Sequence, residues 1–198
     1  MNPDYEYIDP DRIYSDQNGV LFNLLGITDS KLLSVSEAFL TSKRLEELNL
    51  RPIPIKSAYS LLDVHRYIFQ DVYGWAGETR KVDISKHGKQ FITATSFGQA
   101  FFFIDGLISK FRKSADNTND VSEHLAEILD AVNFMHPFRE GNGRAQREFV
   151  RSLALEKGFA LDLNPPDDSA VYREYIRCSV EEDVAGLAAL IKSAIVPD

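Results

Sequence analysis

The sequence predicts an all-α domain that carries one small β-hairpin. Apolar residues recur at helical spacing along most of the chain, whereas only residues 80–93 alternate as strands do. Proline and glycine punctuate the segments between them. With 198 residues, 44% of them apolar and 26% charged, the chain suits one globular domain. We therefore expect a single domain over residues 1–198, with its core at about 20–190.

The elements follow in order along the chain. Residues 1–30 are rich in Asp, Asn, Tyr and Pro, and we expect them to wrap the domain as a coil. The first predicted helix, residues 30–49, ends before Pro52 and Pro54. Further helices are expected at about 56–72, 96–113, 119–135, 143–157, 168–178 and 181–195. Gly158 is expected to end the helix of residues 143–157.

The alternating segment predicts a two-stranded flap, with strands at 80–85 and 90–93 joined by a turn. The flap is basic, because Asp83 is its one acidic residue, and its basic residues are Arg80, Lys81, Lys86 and Lys89.

Composition excludes several classes of protein. A net charge of −8 argues against general nucleic-acid binding, which calls for a basic face. The lone cysteine, Cys178, has no partner for an internal disulfide and is expected to be buried. The longest apolar stretch, residues 101–107, is interrupted by Asp105 and is too short to span a bilayer. No secretory signal is visible, so a cytoplasmic protein is expected, although an effector secreted without a cleaved signal would look the same.

Residues 136–147, HPFREGNGRAQR, carry the chemistry. Gly141 and Gly143 stand where a loop becomes a helix, and there unpaired N–H groups and the helix dipole favour an anion. Asn142 can donate a side-chain hydrogen bond to a phosphate oxygen. Arg144 and Arg147 are three residues apart, so they share a helix face, and guanidinium groups bind phosphate in a fork.

Two further groups complete this segment. Glu140 offers a carboxylate, which beside phosphate ligands suggests Mg²⁺. His136 can exchange a proton near neutral pH, whereas His65, His87 and His124 are expected to be structural or solvated. The residues by themselves therefore predict phosphoryl or nucleotidyl transfer.

The segment matches the Fic signature H-P-F-x-[D/E]-G-N-G-R-x-x-R at every specified position, and the chain resembles the Fic family over most of its length. The resemblance implies a Fic fold and transfer of AMP from ATP to a hydroxyl of a target protein. It implies that His136 is the base and that Glu140 holds Mg²⁺. It also implies that Phe138 anchors the loop in the core.

The same resemblance assigns the remaining site residues. It implies that the phosphates bind at the helix N-terminus formed by Gly141, Asn142 and Gly143. It also implies that two arginines bind the phosphates, Arg144 and Arg147, and that Arg147 holds the γ-phosphate. It further implies that the target is held as an added strand by flap residues Lys89, Gln90, Phe91 and Ile92.

Regulation and targets are also expectations from the resemblance. Many Fic proteins carry an inhibitory helix with the pattern [S/T]-x-x-x-E-[G/N]. Residues 42–47 contain Ser42 and Glu46 but end in Glu47, and residues 193–198 contain no glutamate. A separate small antitoxin with such a helix is therefore expected, as in the toxin–antitoxin branch of the family.

Four functional hypotheses remain. The first is AMP transfer to a bacterial protein, for which the family suggests type II topoisomerase subunits. The second is a secreted effector acting on host small GTPases. The third is another phosphate donor, as in Doc-type kinases, whose motif has Lys where this chain has Gly143. The fourth, a non-catalytic binding module, would be expected to lack His136 or Arg144, and both are present.

Overall fold

Seven α-helices account for most of the residues that the computed structural model describes, which are 5–7, 12–86, 89–163 and 169–196. The helices are α1 (Ser30–Leu50), α2 (Ser60–Phe69), α3 (Phe97–Ser114), α4 (Thr118–Met135), α5 (Asn142–Glu156), α6 (Ala170–Glu181) and α7 (Val184–Ala194). Three short strands, β1 (Tyr5–Tyr7), β2 (Ile84–Lys86) and β3 (Lys89–Gln90), form an antiparallel sheet in that order. The predicted all-α class with a small hairpin is confirmed.

Helix α4 is the central element, because it packs against α3, α5 and α7. Its apolar residues at helical spacing, including Leu125, Leu129 and Val132, are buried. Asn117 caps its start by accepting hydrogen bonds from two backbone N–H groups of the first turn. The helix ends where His136 enters the left-handed conformation, so the packing of α4 places the start of residues 136–147 at the edge of the core.

Helix α5, which begins inside the motif, is buried along most of its length and packs on α2 and α4. It contains a buried ion pair in which Arg151 Nε lies 2.7 Å from Glu148 Oε2. A second nitrogen of Arg151 donates to the carbonyl of Leu48 at 2.8 Å. This network attaches α5 to the C-terminal turn of α1.

The flap differs from the prediction in three ways. Strand β2 begins only at Ile84, and Arg80, at the start of the predicted strand, lies outside β2 and is buried. Strand β3 ends at Gln90, because the N–H of Ile92 is directed at the carbonyl of Phe134 on α4 rather than at a partner strand. The expected coil at residues 1–30 contains β1, which adds a third strand by pairing with β2. The predicted turn includes residues 87–88, which lie outside the described residues.

Helix bounds elsewhere agree with the sequence to within a few residues, except for the helix expected at 56–72. Helix α2 covers only Ser60–Phe69, since the flanking residues form turns that bring Tyr73 and Trp75 into the core. Cys178 and Phe138 are fully buried, as expected.

Candidate active site

A cleft of about 910 Å³ runs between α1, the end of α4, residues 136–147 and α6. Its lining includes every motif residue to which the sequence analysis gave a site role, from His136 through Arg147. The flap closes one end, where Gln90 and Phe91 also line the cleft. The predicted motif residues therefore lie around one cavity together with Gln90 and Phe91, whereas the predicted docking residue Ile92 is not among its lining residues.

His136 is the last residue associated with α4 and has left-handed backbone angles, φ 44° and ψ 60°. Its Nδ1 lies 3.3 Å from the carbonyl oxygen of Asn133. Because a carbonyl only accepts hydrogen bonds, this contact places a proton on Nδ1, and in the neutral form of the ring the lone pair is then on Nε2. The ring of Phe91 stacks on the imidazole at 4.0 Å. The geometry gives His136 the tautomer that a general base requires.

Gly141 makes the sharp entry into α5. Its φ is +81°, and a Cβ added there would lie 2.2 Å from Cζ of Phe69. Both the backbone conformation and the close approach of that ring require glycine. The N–H groups of residues 142–144 at the start of α5 have no intrahelical acceptor, so they form the anion-binding end that the sequence predicts.

The side chain of Asn142 differs from expectation. We expected its amide to reach a phosphate oxygen, but both of its polar atoms are engaged with Phe138. Oδ1 accepts from the Phe138 N–H at 2.9 Å, and Nδ2 donates to the Phe138 carbonyl at 2.8 Å. The side chain therefore stabilises the loop. The group of Asn142 that remains available to an anion is its backbone N–H.

Arg144 is held by α1. Its guanidinium donates to Glu37 Oε1 at 2.5 Å and to Thr41 Oγ1 at 3.0 Å, and lies 4.6 Å from the centre of the Phe69 ring. Glu37 also accepts a hydrogen bond from the hydroxyl of Tyr73. These contacts stretch the arginine along one wall of the cleft.

Arg147 lies against the other wall. Its guanidinium is 5.0 Å from the ring of Tyr175 and 5.7 Å from that of Tyr172, both on α6. Such cation–π contacts orient a guanidinium without neutralising it. The residues of α1 and α6 that contact the two arginines were not predicted, because no local sequence pattern marks them.

Glu140 is the residue that fits a magnesium ion. It is half-buried, lines the cleft, and its Oε1 accepts from the N–H of Gly141 at 3.0 Å. Within the described part of the chain, no cluster of three or more His, Cys, Asp or Glu could hold a metal. A single carboxylate nevertheless suits Mg²⁺, which takes its other ligands from phosphate and water.

His65 has the structural role that was expected, and it supports the motif loop. Its Nδ1 accepts from the Gly77 N–H at 2.9 Å, so Nε2 carries the proton and donates to the Glu140 carbonyl at 3.0 Å. The ring is fully buried and stacks on Phe138 at 3.7 Å. Burial lowers the pKa of His65 to about 3, so the ring is neutral at physiological pH.

Fold and site together define a helical domain in which a histidine, a carboxylate, the N-terminus of α5 and two arginines line one cleft. The chain belongs to the Fic/DOC family, whose family model matches residues 56–154. It is 35% identical over 171 residues to the protein adenylyltransferase VbhT of Bartonella schoenbuchensis. That alignment covers 85% of this chain and 35% of VbhT. It is 30% identical over 150 residues to the probable protein adenylyltransferase Fic of Salmonella typhimurium, with 72% of this chain and 71% of that protein covered.

Solved structures show the same fold. The BepC protein of Bartonella tribocorum, with bound AMPPNP, aligns with a TM-score of 0.79 and 20% identity, covering 93% of this chain and 97% of that one. The N-terminal Fic domain of a Bartonella quintana protein, with bound ADP, aligns with a TM-score of 0.80 and 21% identity, covering 93% and 95%. The chain spans about a third of the length of VbhT. No helix among the described residues is both long and apolar enough to cross a bilayer.

Proposed function

We propose that this chain is a protein adenylyltransferase, which transfers AMP from ATP to a hydroxyl side chain of a target protein. The observation that carries the proposal is the placement of a histidine, whose Nδ1 faces a backbone carbonyl, with a helix N-terminus and two arginines around one cleft. The relatives VbhT and Fic, named as a protein adenylyltransferase and a probable protein adenylyltransferase, support the same activity.

In the proposed reaction, Nε2 of His136 takes the proton of the target hydroxyl. The oxygen attacks the α-phosphorus of ATP, an oxygen–phosphorus bond forms, and the bond to the bridging oxygen of the β-phosphate breaks. Pyrophosphate leaves with that electron pair. The N–H groups at the start of α5 and the guanidinium of Arg144 stabilise the phosphate charge, and Arg147 holds the γ-phosphate.

Glu140 would hold Mg²⁺, which when bound neutralises negative charge on the phosphates. The carboxylate is kept at the mouth of the phosphate cradle by the Gly141 N–H, and the loop carbonyl beside it is fixed by His65. Both contacts favour a carboxylate that is in place before nucleotide binds.

The flap is proposed to hold the target segment as an added strand. Strand β3 is at the edge of the described sheet, and Phe91 donates its N–H to Ile84 on β2. Because antiparallel residues alternate in direction, the backbone groups of Gln90 then point to the open edge of β3. Lys89, Gln90, Phe91 and Ile92 remain the proposed docking residues, with Gln90 supplying the open backbone groups. The stack of Phe91 on His136 brings this segment beside the proposed base.

The activity is tested with ATP labelled at the α- or the γ-phosphate, Mg²⁺ and cell lysate. Label on protein from the α-phosphate alone, lost in His136→Ala and kept in His124→Ala, is the expected result. His124 is the matched control because it lies on α4 and is not among the residues that line the cleft. Label from the γ-phosphate alone would contradict the proposal and indicate a kinase of the Doc type.

The partners are proposed from the family resemblance. Type II topoisomerase subunits are the proposed targets, and identification of the labelled band in bacterial lysate tests this. Labelling confined to small GTPases of an animal-cell lysate would instead favour a secreted effector.

A separate antitoxin with an inhibitory S/T-x-x-x-E-G/N helix is the proposed regulator. Glu46, the glutamate of the incomplete pattern in this chain, is exposed on α1. A purified chain that is silent until Glu46→Gly activates it would contradict inhibition by a separate protein.

A further inference from the structure

One arginine outside the motif binds the backbone of both the motif loop and the flap. The side chain of Arg80 is fully buried. Its Nε donates to the carbonyl of His136 at 2.9 Å, and its backbone N–H donates to the carbonyl of Pro137 at 2.7 Å. The other guanidinium nitrogens donate to Val82, at 2.7 Å, and to Ile92, both through backbone carbonyls.

This arrangement is unusual for a buried charge, because neutral carbonyls supply most of its partners. Among the described residues, the carboxylate of Asp83 lies 3.4 Å from Nη1, and it also accepts from a backbone N–H. Burial lowers the pKa of Arg80, and the ring of Phe97 lies 4.9 Å from the guanidinium. A planar guanidinium with donors in fixed directions sets the positions of its acceptors relative to each other.

The acceptors belong to two segments that must meet in the proposed reaction. His136 carries the base, and Ile92 follows directly after the flap residue Phe91, whose ring stacks on the imidazole. A backbone hydrogen bond also attaches this end of the flap to α4, but the 3.5 Å contact from Ile92 to Phe134 is at the limit of hydrogen-bond length.

The backbone of His136 also needs support. A non-glycine residue in the left-handed region is disfavoured and persists where its surroundings fix it. The bond from Arg80 Nε to the His136 carbonyl acts on that peptide, and the bond to Ile92 acts on the flap, through the same rigid group.

We propose that Arg80 is a positioning residue that holds the target-binding flap in register with the base His136. The proposal rests on the proposed function, because the register matters only if the flap presents a hydroxyl to this histidine. Arg80 itself donates to backbone carbonyls, so it affects the reaction through the positions of His136 and the flap.

The test compares Arg80→Lys with Arg112→Lys in the full chain. Lysine keeps the charge but offers a single nitrogen, so it cannot bridge both segments in a fork. We expect kcat for AMP transfer to fall about 100-fold, the order expected for a displacement of about 1 Å in the reacting groups. ATP affinity should change less than about twofold, because the phosphate cradle is built on α5.

Arg112 is the matched control. It also donates to the carbonyl of a distant segment, at Ile55, and pairs with Glu156 at 2.9 Å, but it is not among the residues that line the cleft. Arg112→Lys should lower stability without lowering kcat. Equal losses of kcat in the two variants, or a loss of ATP affinity that matches the loss of kcat in Arg80→Lys, would overturn the proposal.

A second readout is independent of activity. Backbone amides of residues 89–93 should exchange with solvent at least about tenfold faster in Arg80→Lys than in the wild type, and Arg112→Lys should leave their rates unchanged. If Arg80→Lys fails to fold, Phe97→Leu replaces it, because it removes the ring beside the guanidinium and leaves the acceptors in place; it should accelerate the same amides.

Unchanged flap exchange in the folded variant would overturn the proposed role of Arg80. A wild type that labels no protein from α-labelled ATP would instead contradict the proposed function. The hydrogen-exchange measurement would still decide whether Arg80 holds the flap in position.

Discussion

The imidazole of His65 should make the stability of this domain depend on pH in a defined window. The ring is fully buried, accepts from Gly77, donates to Glu140 and stacks on Phe138. Its pKa is lowered by burial from 6.5 to about 3. In the unfolded chain the same ring takes up a proton near pH 6.5. Between these two values the unfolded state therefore binds more protons than the native state, and stability falls as the pH falls.

The size of the effect follows from the shift. Each pH unit between the two pKa values is worth about 1.4 kcal/mol, so His65 should remove about 2 kcal/mol from the free energy of unfolding between about pH 7 and about pH 5. The loss continues to grow until the pH approaches about 3, where the native ring also takes up a proton. A loss of about 2 kcal/mol is a large fraction of the roughly 5–15 kcal/mol that typically stabilises a whole domain, so it should be readily measured.

Urea unfolding of the wild type and of His65→Gln at these two pH values measures the effect. Glutamine does not titrate, so its own cost is the same at both values, and the wild type should lose about 2 kcal/mol more than the variant. His124→Gln is the control: it leaves His65 in place and should keep the steep loss. Equal pH dependence in the wild type and in His65→Gln would refute the assignment of a buried neutral ring.

Two further predictions concern stability. Gly141→Ala should lower the free energy of unfolding by about 2–4 kcal/mol, since the left-handed conformation and the contact with Phe69 both penalise a Cβ, whereas Gly158→Ala, with φ +83° and open space, should lose only about 1 kcal/mol. Titration with nucleotide should show a loss of binding in Gly141→Ala but not in Gly158→Ala. Similar losses of stability in the two variants would contradict the prediction. Glu148→Gln should cost about 3–5 kcal/mol in urea unfolding, because it leaves a buried guanidinium uncompensated, and the exposed control Glu181→Gln should cost less than about 1 kcal/mol.

Local sequence was sufficient for the helices and for the motif loop. Apolar spacing places α4 and α5 to within one or two residues, since helical periodicity reports which face will be buried. Gly141 and Gly143 mark the entry into α5, and the structure shows why the first of them tolerates no side chain. The Fic signature was found from residues that lie within 12 positions of one another.

The flap was harder to predict because short strands depend on their partners. Strand β1 lies in a segment whose polar composition indicates coil, and it is extended because it pairs with β2. Arg80 lies in an alternating basic segment, and nothing in that local pattern indicates that its side chain is buried. It is buried because the carbonyls of two separate loops converge on it.

The sequence by itself therefore determined the parts of the proposed active site: a histidine, a carboxylate, a helix N-terminus and two arginines in one short segment, where neighbours along the chain are neighbours in space. Tertiary structure alone decided how those parts are held. Glu37, which contacts Arg144, is 107 residues away in sequence, and Tyr175 approaches Arg147 from another helix. Such contacts depend on how helices pack rather than on local spacing, so no periodic pattern in one segment records them.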